Sequence, residues 1–306
     1  GSTWEWSDLD PERRNWKEWW QGDDVYYVQF MAKDNLPFHT VIWPATIMGS
    51  KEKWTLASYI KGFNWLTYCG GKFSTSQKRG VFMDQALDIY PADYWRYFLI
   101  TMAPESDDSD FTWELFAATV NKDLAGNLGN FVNRTLKLSA KEFGAAVPQG
   151  GVPGEAEKKL AEDCTAALDE YRAALRGMEF RKSALALKKL WSLGNLYIDA
   201  RAPWTLLKTD RDEAAMVLRT CINLARLYAL ASSPLIPFTS EKISDALKLT
   251  PEERSAGLPS LRDDGNLSSL TALVPGREFA IPDVLFKKVE QEDVDRLTAQ
   301  FGGTAQ

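Results

Sequence analysis

Gly70-Gly71-Lys72-Phe73-Ser74-Thr75-Ser76-Gln77-Lys78-Arg79-Gly80 is the stretch whose residue types could do chemistry, because it joins glycines to cations and small hydroxyls. Serine and threonine hydroxyls and backbone N–H groups bind phosphate oxygens, and a lysine adds a point charge. Glycines allow backbone conformations that let such a loop close over a ligand. The same composition also describes a polar surface turn, so the loop has to be judged with its flanks.

The flanks supply the elements that would position it. Tyr59 to Tyr68, apolar and aromatic, predicts a strand leading into the loop, and a helical pattern begins at Val81-Phe82-Met83-Asp84. Upstream, Asp24 to Ala32 is β-branched, aromatic and nearly continuous in apolar character. That predicts a strand buried on both faces, as in a parallel sheet. A helix around Val41 to Met48 separates the two, so the order is that of a βαβ unit. Ligands of such sheets sit at the carboxyl ends of strands, which is where Asp34 and Lys72 fall. Trp4, Trp6, Trp16, Trp19 and Trp20 crowd residues 3–22, a density that predicts packed rings rather than a free tail.

After residue 82 the period is helical. Pro91 opens a helix carrying Tyr94, Trp95, Tyr97, Phe98 and Met102, and an acidic loop follows from Pro104 to Asp110. A long helix is predicted from Thr112 to about Phe143, with Gly126 and Gly129 as the points where it would break. Val147 to Gly154 reads as a connector, followed by helices near 155–177, 180–200 and 210–231 and a shorter one from Thr239 to Leu249. Residues 251–280 read as loop-rich and 286–301 as a short closing segment. The fold class is therefore α/β and then all-α.

Composition sets the bounds. The chain has 306 residues, 45% hydrophobic and 25% charged, enough for two globular units. No apolar run reaches the ~18 residues that span a bilayer, so no membrane role is expected. The net charge of −6 argues against bulk, non-specific nucleic-acid binding but leaves room for a local basic or aromatic site. Cys69, Cys164 and Cys221 form no metal-spaced pair and no disulfide framework, which fits a reducing cytoplasm. With His39 the single histidine, a multi-histidine metal site is excluded, and no metal site is expected within the chain.

Lys72-Phe73-Ser74-Thr75-Ser76 resembles the Lys-Met-Ser-Lys-Ser loop of class I aminoacyl-tRNA synthetases, and its surroundings resemble the methionyl-tRNA synthetase family. Lys33-Asp34-Asn35-Leu36-Pro37-Phe38-His39-Thr40-Val41-Ile42-Trp43-Pro44-Ala45 is similar to the family's Gly-Lys-Asp…Phe-His…Trp-Pro-Ala segment. Trp95-Arg96-Tyr97 and Pro104-Glu105-Ser106-Asp107-Asp108 resemble its stem-contact region. Gly129-Asn130-Phe131-Val132-Asn133-Arg134 and Arg201-Ala202-Pro203-Trp204 resemble its anticodon-binding bundle. The resemblance runs from about Asp24 to Gly303, and its pieces occur in the family's order.

The resemblance implies a partial Rossmann-type parallel sheet followed by an anticodon-binding helical bundle. Residues 1–80 would be the carboxyl-terminal part of the catalytic domain with its loop, 81–115 the stem-contact region and 116–306 the anticodon domain. It assigns Asn35, His39 and Trp43 to a methionine pocket. The last two lie one helical turn apart, and an aromatic wall suits a thioether. Read without the resemblance, they are equally a core tryptophan beside a hydrogen-bonded histidine. ATP would meet Asp34, Lys72, Phe73, Ser74, Thr75 and Ser76. Asp34 either accepts hydrogen bonds from the ribose or the ammonium, or caps the helix after it. Asn130 and Arg134, spaced i, i+4, would read the CAU anticodon with Trp204, whose indole can stack an unpaired base. The alternative is an interhelical polar pair and a core indole.

Two departures stand out. The glycine two positions before the family's aspartate is Ala32, and the loop's second lysine is Thr75. The lost cation would stabilise charge on departing pyrophosphate, and Lys78 or Arg79 is near enough to replace it. Lys72 and Lys78 are thus the catalytic candidates. The family's His-Ile-Gly-His motif cannot be present in a chain with one histidine. The expectation is a portion of a cytoplasmic methionine–tRNA ligase using methionine, ATP with Mg2+, and tRNA-Met. It would be inactive without a complementary amino-terminal half that carries that motif. The alternative is a non-catalytic tRNA-anticodon-binding module of the same descent.

Overall fold

The computed structural model describes residues 2–255, 257 and 268–303. The chain forms two compact units, Gly1–Leu66 with Pro104–Ser109, and Thr67–Ala103 with Asp110–Gln306.

The first unit begins with α1 (Ser2–Asp8) and α2 (Trp16–Trp20), the latter started by Asn15, whose side chain accepts from Lys17 N at 3.1 Å. Then come β1 (Val28–Ala32), a 3₁₀ turn (Lys33–Asn35), a π-helical turn (Phe38–Ile42), α3 (Trp43–Gly49) and β2 (Tyr59–Phe63). β1 and β2 are parallel, with Val28 opposite Tyr59 and Ala32 opposite Phe63, so the βαβ order is realised. Two expectations need correcting. β1 is not buried on both faces: Gln29 is buried, but Phe30 is 51% exposed on the other face. Tyr59 to Tyr68 is not one strand, since β2 stops at Phe63. Asn64 N donates to Pro104 O and Trp65 N to Asp108 Oδ1, at 2.8 and 2.9 Å, which takes the backbone off the β1 ladder.

The tryptophans pack on one another as expected. Trp6 meets Trp19 edge-on at 6.1 Å, Trp16 stacks on Trp54 at 5.7 Å, and Trp20 meets Tyr27 at 5.3 Å while its N–H donates to Thr3 Oγ1. Trp4 and Trp19 stay more than half exposed.

β3 (Leu66–Tyr68) pairs with β4 (Ser109–Phe111) in a separate two-stranded sheet. The second unit contains α4 (Met83–Ile89), α5 (Ala92–Thr101) and α6 (Trp113–Thr119), a π-helical run (Val120–Gly129), and α7 (Asn130–Phe143). The helix predicted over 112–143 does not break at its glycines; it widens to i→i+5 hydrogen bonding through them. α8 (Glu155–Arg176), α9 (Phe180–Arg201), α10 (Pro203–Thr209), α11 (Arg211–Ser232) and α12 (Pro237–Ala246) complete a bundle. Short α13 (Pro251–Ser255) and α14 (Ser268–Thr271) follow, and α15 (Gln291–Phe301) closes the chain. Of the stretch expected to be loop-rich, residues 256 and 258–267 lie outside the described residues.

The helices start where local chemistry requires. Thr112 accepts from Leu115 N at 3.1 Å and Asp210 from Glu213 N at 3.0 Å, each satisfying an orphan N–H of a first turn. α11 is long and apolar enough to cross a membrane, yet 94% of its apolar window is buried within the bundle, which makes it a core helix. A second core gathers Trp95, Phe98, Phe111, Trp113 and Phe116, with Trp95 and Phe116 rings 4.6 Å apart.

Candidate functional sites

In the first unit, the turn after β1 and the start of α3 enclose a cavity of about 340 Å³ lined by Tyr27, Gln29, Phe38, His39, Ile42, Trp43 and Thr46. Gln29 Nε2 donates to Tyr27 Oη at 2.6 Å, which leaves Oε1 to accept from His39 Nδ1 at 3.2 Å. In the neutral ring that fixes the Nδ1–H tautomer and leaves Nε2 free to accept from a ligand. Trp43 is 42% exposed and therefore not a core indole. The cavity offers an aromatic wall, an oriented imidazole and a hydroxyl. Asp34 and Asn35 lie on the exposed 3₁₀ turn at the end of β1 and do not line it. Asp34 lies inside that turn, whose cap position is Ala32, and its side chain is exposed. Tyr27, Gln29 and Phe38 were not predicted. The signal available for Tyr27 and Gln29 was their alternation along the predicted strand, whereas Phe38 lies beyond it in the π-helical turn.

In the second unit the glycine-lysine loop is built from two successive turns. Tyr68 and Gly71 exchange hydrogen bonds of 2.7 and 3.1 Å around Cys69 and Gly70, at φ of 47° and 74°. Positive φ at both central residues is the geometry of the primed hairpin turns. Asp110 fixes this turn, accepting from Gly70 N at 2.9 Å and from the Thr67 hydroxyl at 2.5 Å. Ser74 and Arg79 then pair through both backbone bonds, 2.9 Å each, and carry Thr75 to Lys78 between them. Phe73 packs edge-on against Tyr68 and Phe82, at 5.4 and 6.1 Å. Ser74 Oγ lies 3.2 Å from Ser76 Oγ.

Lys72, Thr75, Ser76 and Lys78 are exposed, and neither lysine's ammonium has an ion-pair or hydrogen-bond partner among the described residues. Arg79 is different: its guanidinium is turned back onto the carbonyls of Tyr68 and Cys69. Lys72 lies beyond the carboxyl end of β3, which runs parallel to β4, as Ser109 N donating to Trp65 O and Cys69 N donating to Phe111 O show, in a sheet separate from β1 and β2.

The third site lies where α7 meets the end of α9. Arg134 Nη1 pairs with Asp199 at 2.7 Å and Nη2 donates to Asn195 Oδ1 at 3.3 Å. Asn195 Nδ2 is bonded in turn to the side chain of Asn127 at 2.8 Å, within the π-helical run. The guanidinium lies 5.7 Å from the Trp204 ring centroid. α9 ends at Ala202, which adopts φ 42° and ψ 60°, and Pro203 opens α10. That kink turns Trp204 outward, 41% exposed, so it is not a core indole. Asn130, one turn before Arg134, is exposed and lines a groove of about 570 Å³ with Asn133, Phe286, Lys287 and Lys288. No group of three or more potential metal ligands occurs among the described residues.

A family model described as the anticodon binding domain of methionyl tRNA ligase matches residues 147–306, more than half of the chain. The chain belongs to the methionyl-tRNA ligase family. A second model, tRNA synthetases class I (M), matches residues 1–136. Methionine–tRNA ligase 1 of Acaryochloris marina is 55% identical over 299 residues, covering 97% of this chain and 52% of that protein. Methionine–tRNA ligase of Streptomyces avermitilis is 54% identical over 308 residues, covering 99% and 53%. The Mycobacterium tuberculosis methionyl-tRNA synthetase in complex with methionyl-adenylate superposes with a TM-score of 0.73 at 26% identity, covering 92% of this chain and 52% of that one. The chain thus spans about half the length of the relatives it matches. The family's architecture, α/β followed by a helical bundle, is the one found here.

Proposed function

We propose that this chain supplies the carboxyl-side portion of a methionine–tRNA ligase. The observation that carries the reading is the Arg134–Trp204 pair: an exposed indole beside a guanidinium oriented by Asp199 and Asn195. An indole face stacks an unpaired base of any identity, and the fixed donors next to it select among base edges. With Asn130, this would read the CAU anticodon of tRNA-Met.

In the whole enzyme, a methionine carboxylate oxygen attacks the α-phosphorus of ATP, the bond to pyrophosphate breaks, and methionyl-adenylate forms. The 3′-terminal hydroxyl of tRNA then attacks the activated carbonyl and AMP leaves. Catalysis of this kind is positioning and charge stabilisation. The His39–Trp43 cavity would hold the methionine side chain, with Asn35 and Asp34 at its approach. Lys72 and Lys78 would meet the phosphates, and Phe73, Ser74, Thr75 and Ser76 would shape the loop around them. ATP enters with Mg2+ as the substrate complex. The functional division would be 1–80, 81–115 and 116–306.

A complementary amino-terminal half bearing His-Ile-Gly-His would complete the catalytic domain. The exposed Tyr26, Phe30, Phe38, Val41 and Ile42 of the first unit support such a partner. The free, unpaired cysteines support a cytoplasmic location. Thr75, in place of a lysine, favours the second reading, a tRNA-binding module without catalysis. The test is binding of tRNA with a CAU anticodon against the same tRNA with another anticodon. Equal affinities would remove the anticodon assignment from both readings.

A further inference from the structure

Four connections converge on Arg79. Its backbone N–H and carbonyl pair with Ser74, closing the turn that carries Lys78. Its Nη2 donates to the carbonyls of Tyr68 and Cys69, at 3.0 and 2.9 Å, on the strand that leads into the loop. Its backbone also bridges to Gly302, just beyond α15, and the next residue, Gly80, donates its N–H to Phe301 O at 3.0 Å. Phe301 is a fixed point: it is buried, with its ring 5.9 Å from that of Trp113. Both arms of the loop are thus tied through one side chain, and the trailing arm is tied to the carboxyl-terminal helix.

The tie is not fully satisfied. Arg79 Nε is buried without a hydrogen-bond partner. The desolvation cost of that unmet donor offsets part of what the two hydrogen bonds return.

We propose that Arg79 is a positioning residue, a latch that holds the 72–80 loop in one conformation so that Lys72 and Lys78 stand ready for a phosphate ester. It rests on the reading of this loop as the ATP phosphate loop. It assigns Arg79 no contact with substrate, which separates it from a replacement cation. Release of the Phe301–Gly302 contact frees the trailing arm, so α15 gates the loop.

The test compares Arg79→Ala with Arg79→Gln in the full-length protein. Glutamine keeps an N–H donor for the two carbonyls and loses the charge. Amide hydrogen exchange across residues 72–80 is expected to rise at least about tenfold in Arg79→Ala and much less in Arg79→Gln. Phe301→Ala should loosen the same amides without touching the guanidinium. Adenylate formation should slow by about tenfold or more in Arg79→Ala at unchanged methionine KM, with Arg79→Gln recovering most of the rate. Unchanged exchange in Arg79→Ala overturns the latch. So does an Arg79→Gln protein that is rigid but as slow as alanine, because charge rather than position would then be what is missing. A full-length protein that makes no adenylate would refute the ligase reading while leaving the exchange result to decide the latch.

Discussion

The Arg134 guanidinium stands over Trp204, 5.7 Å from its ring centroid, while Asp199 and Asn195 hold it from the other side. The indole is thus braced on one side and open to solvent on the other. Trp204→Ala should weaken binding of tRNA with a CAU anticodon by roughly 1–3 kcal/mol, the worth of one stacked base. Arg134→Ala should weaken it too and flatten discrimination against other anticodons. Asp199→Asn should keep most of the affinity, since the donors remain, but lose some discrimination as the guanidinium gains freedom. Filter binding with matched and altered anticodons checks all three. Folded Trp204→Ala and Arg134→Ala proteins with unaltered binding would return the pair to a purely structural role.

A second prediction concerns how that brace is set. Gly194 lies on the buried face of α9, where a Cβ would press on the Tyr228 hydroxyl of α11 and come within 2.8 Å of the Phe131 ring of α7. In an exposed helix Gly→Ala stabilises. Here it should destabilise, by about 1–3 kcal/mol, because three helices must part to admit a methyl group. The shift in α9 would move Asn195 and Asp199 as well. Chemical denaturation and tRNA affinity should therefore fall together in Gly194→Ala, whereas alanine at exposed Leu196 should change neither.

The helices of the second unit were legible because their signals are local. Pro203, the recurrence of apolar residues at three- and four-residue steps along α8 and α9, and the run of α11 mark boundaries to within a few residues. The paired placement of His39 and Trp43 on one cavity was legible from their spacing. What failed was long-range. Nothing near Tyr59 announces that the strand will be divided by hydrogen bonds to Pro104 and Asp108, forty residues on. Nothing near Gly70 announces Asp110 as the carboxylate that fixes the turn. Arg79 reads as a free cation in sequence, and only the carbonyls of Tyr68 and Cys69 show that it is engaged. The π-helical run was half legible: Gly126 and Gly129 flagged an irregular helix, but widening and breaking look alike in sequence.

A third prediction follows from burial of acidic hydroxyls and thiols. Burial pushes Tyr68 from 10.0 up to about 12, against the pull of the Trp113 N–H that donates to its hydroxyl. Burial likewise raises Tyr90 to about 12, and Cys164 from 9.0 to about 12. Each folded-state value exceeds its unfolded one, so the folded state binds the extra protons. The stability these groups confer is whole below about pH 9 and is lost as pH rises through about 12. Urea midpoints should be flat up to about pH 9 and fall steeply above it. Ring resonances of Tyr68 or Tyr90 that report ionisation well before the fold is lost would contradict this.

The last prediction turns on Thr75 and Lys78. The loop keeps Lys72 and has no second lysine at the matched position, while Arg79 is committed to carbonyls. Lys78 is the remaining cation of the turn, exposed and held at φ 51°. Departing pyrophosphate needs a charge partner, and losing a preorganised one typically costs about 10²–10³ in rate. In the full-length enzyme, Lys72→Ala and Lys78→Ala should each slow adenylate formation far more than they change methionine affinity. That pattern marks a contact made mainly in the transition state. Lysine and alanine carry the same Cβ strain at a left-handed position, and asparagine tolerates that conformation better, so Lys78→Asn is the cleaner neutral variant. Thr75→Lys in the Lys78→Asn background should recover part of the rate, because it restores a cation three residues away on the same turn. Single-turnover measurement of adenylate formation reads these effects without tRNA. A Lys78→Asn enzyme that forms adenylate at the normal rate would leave Lys72 as the one catalytic cation of the loop.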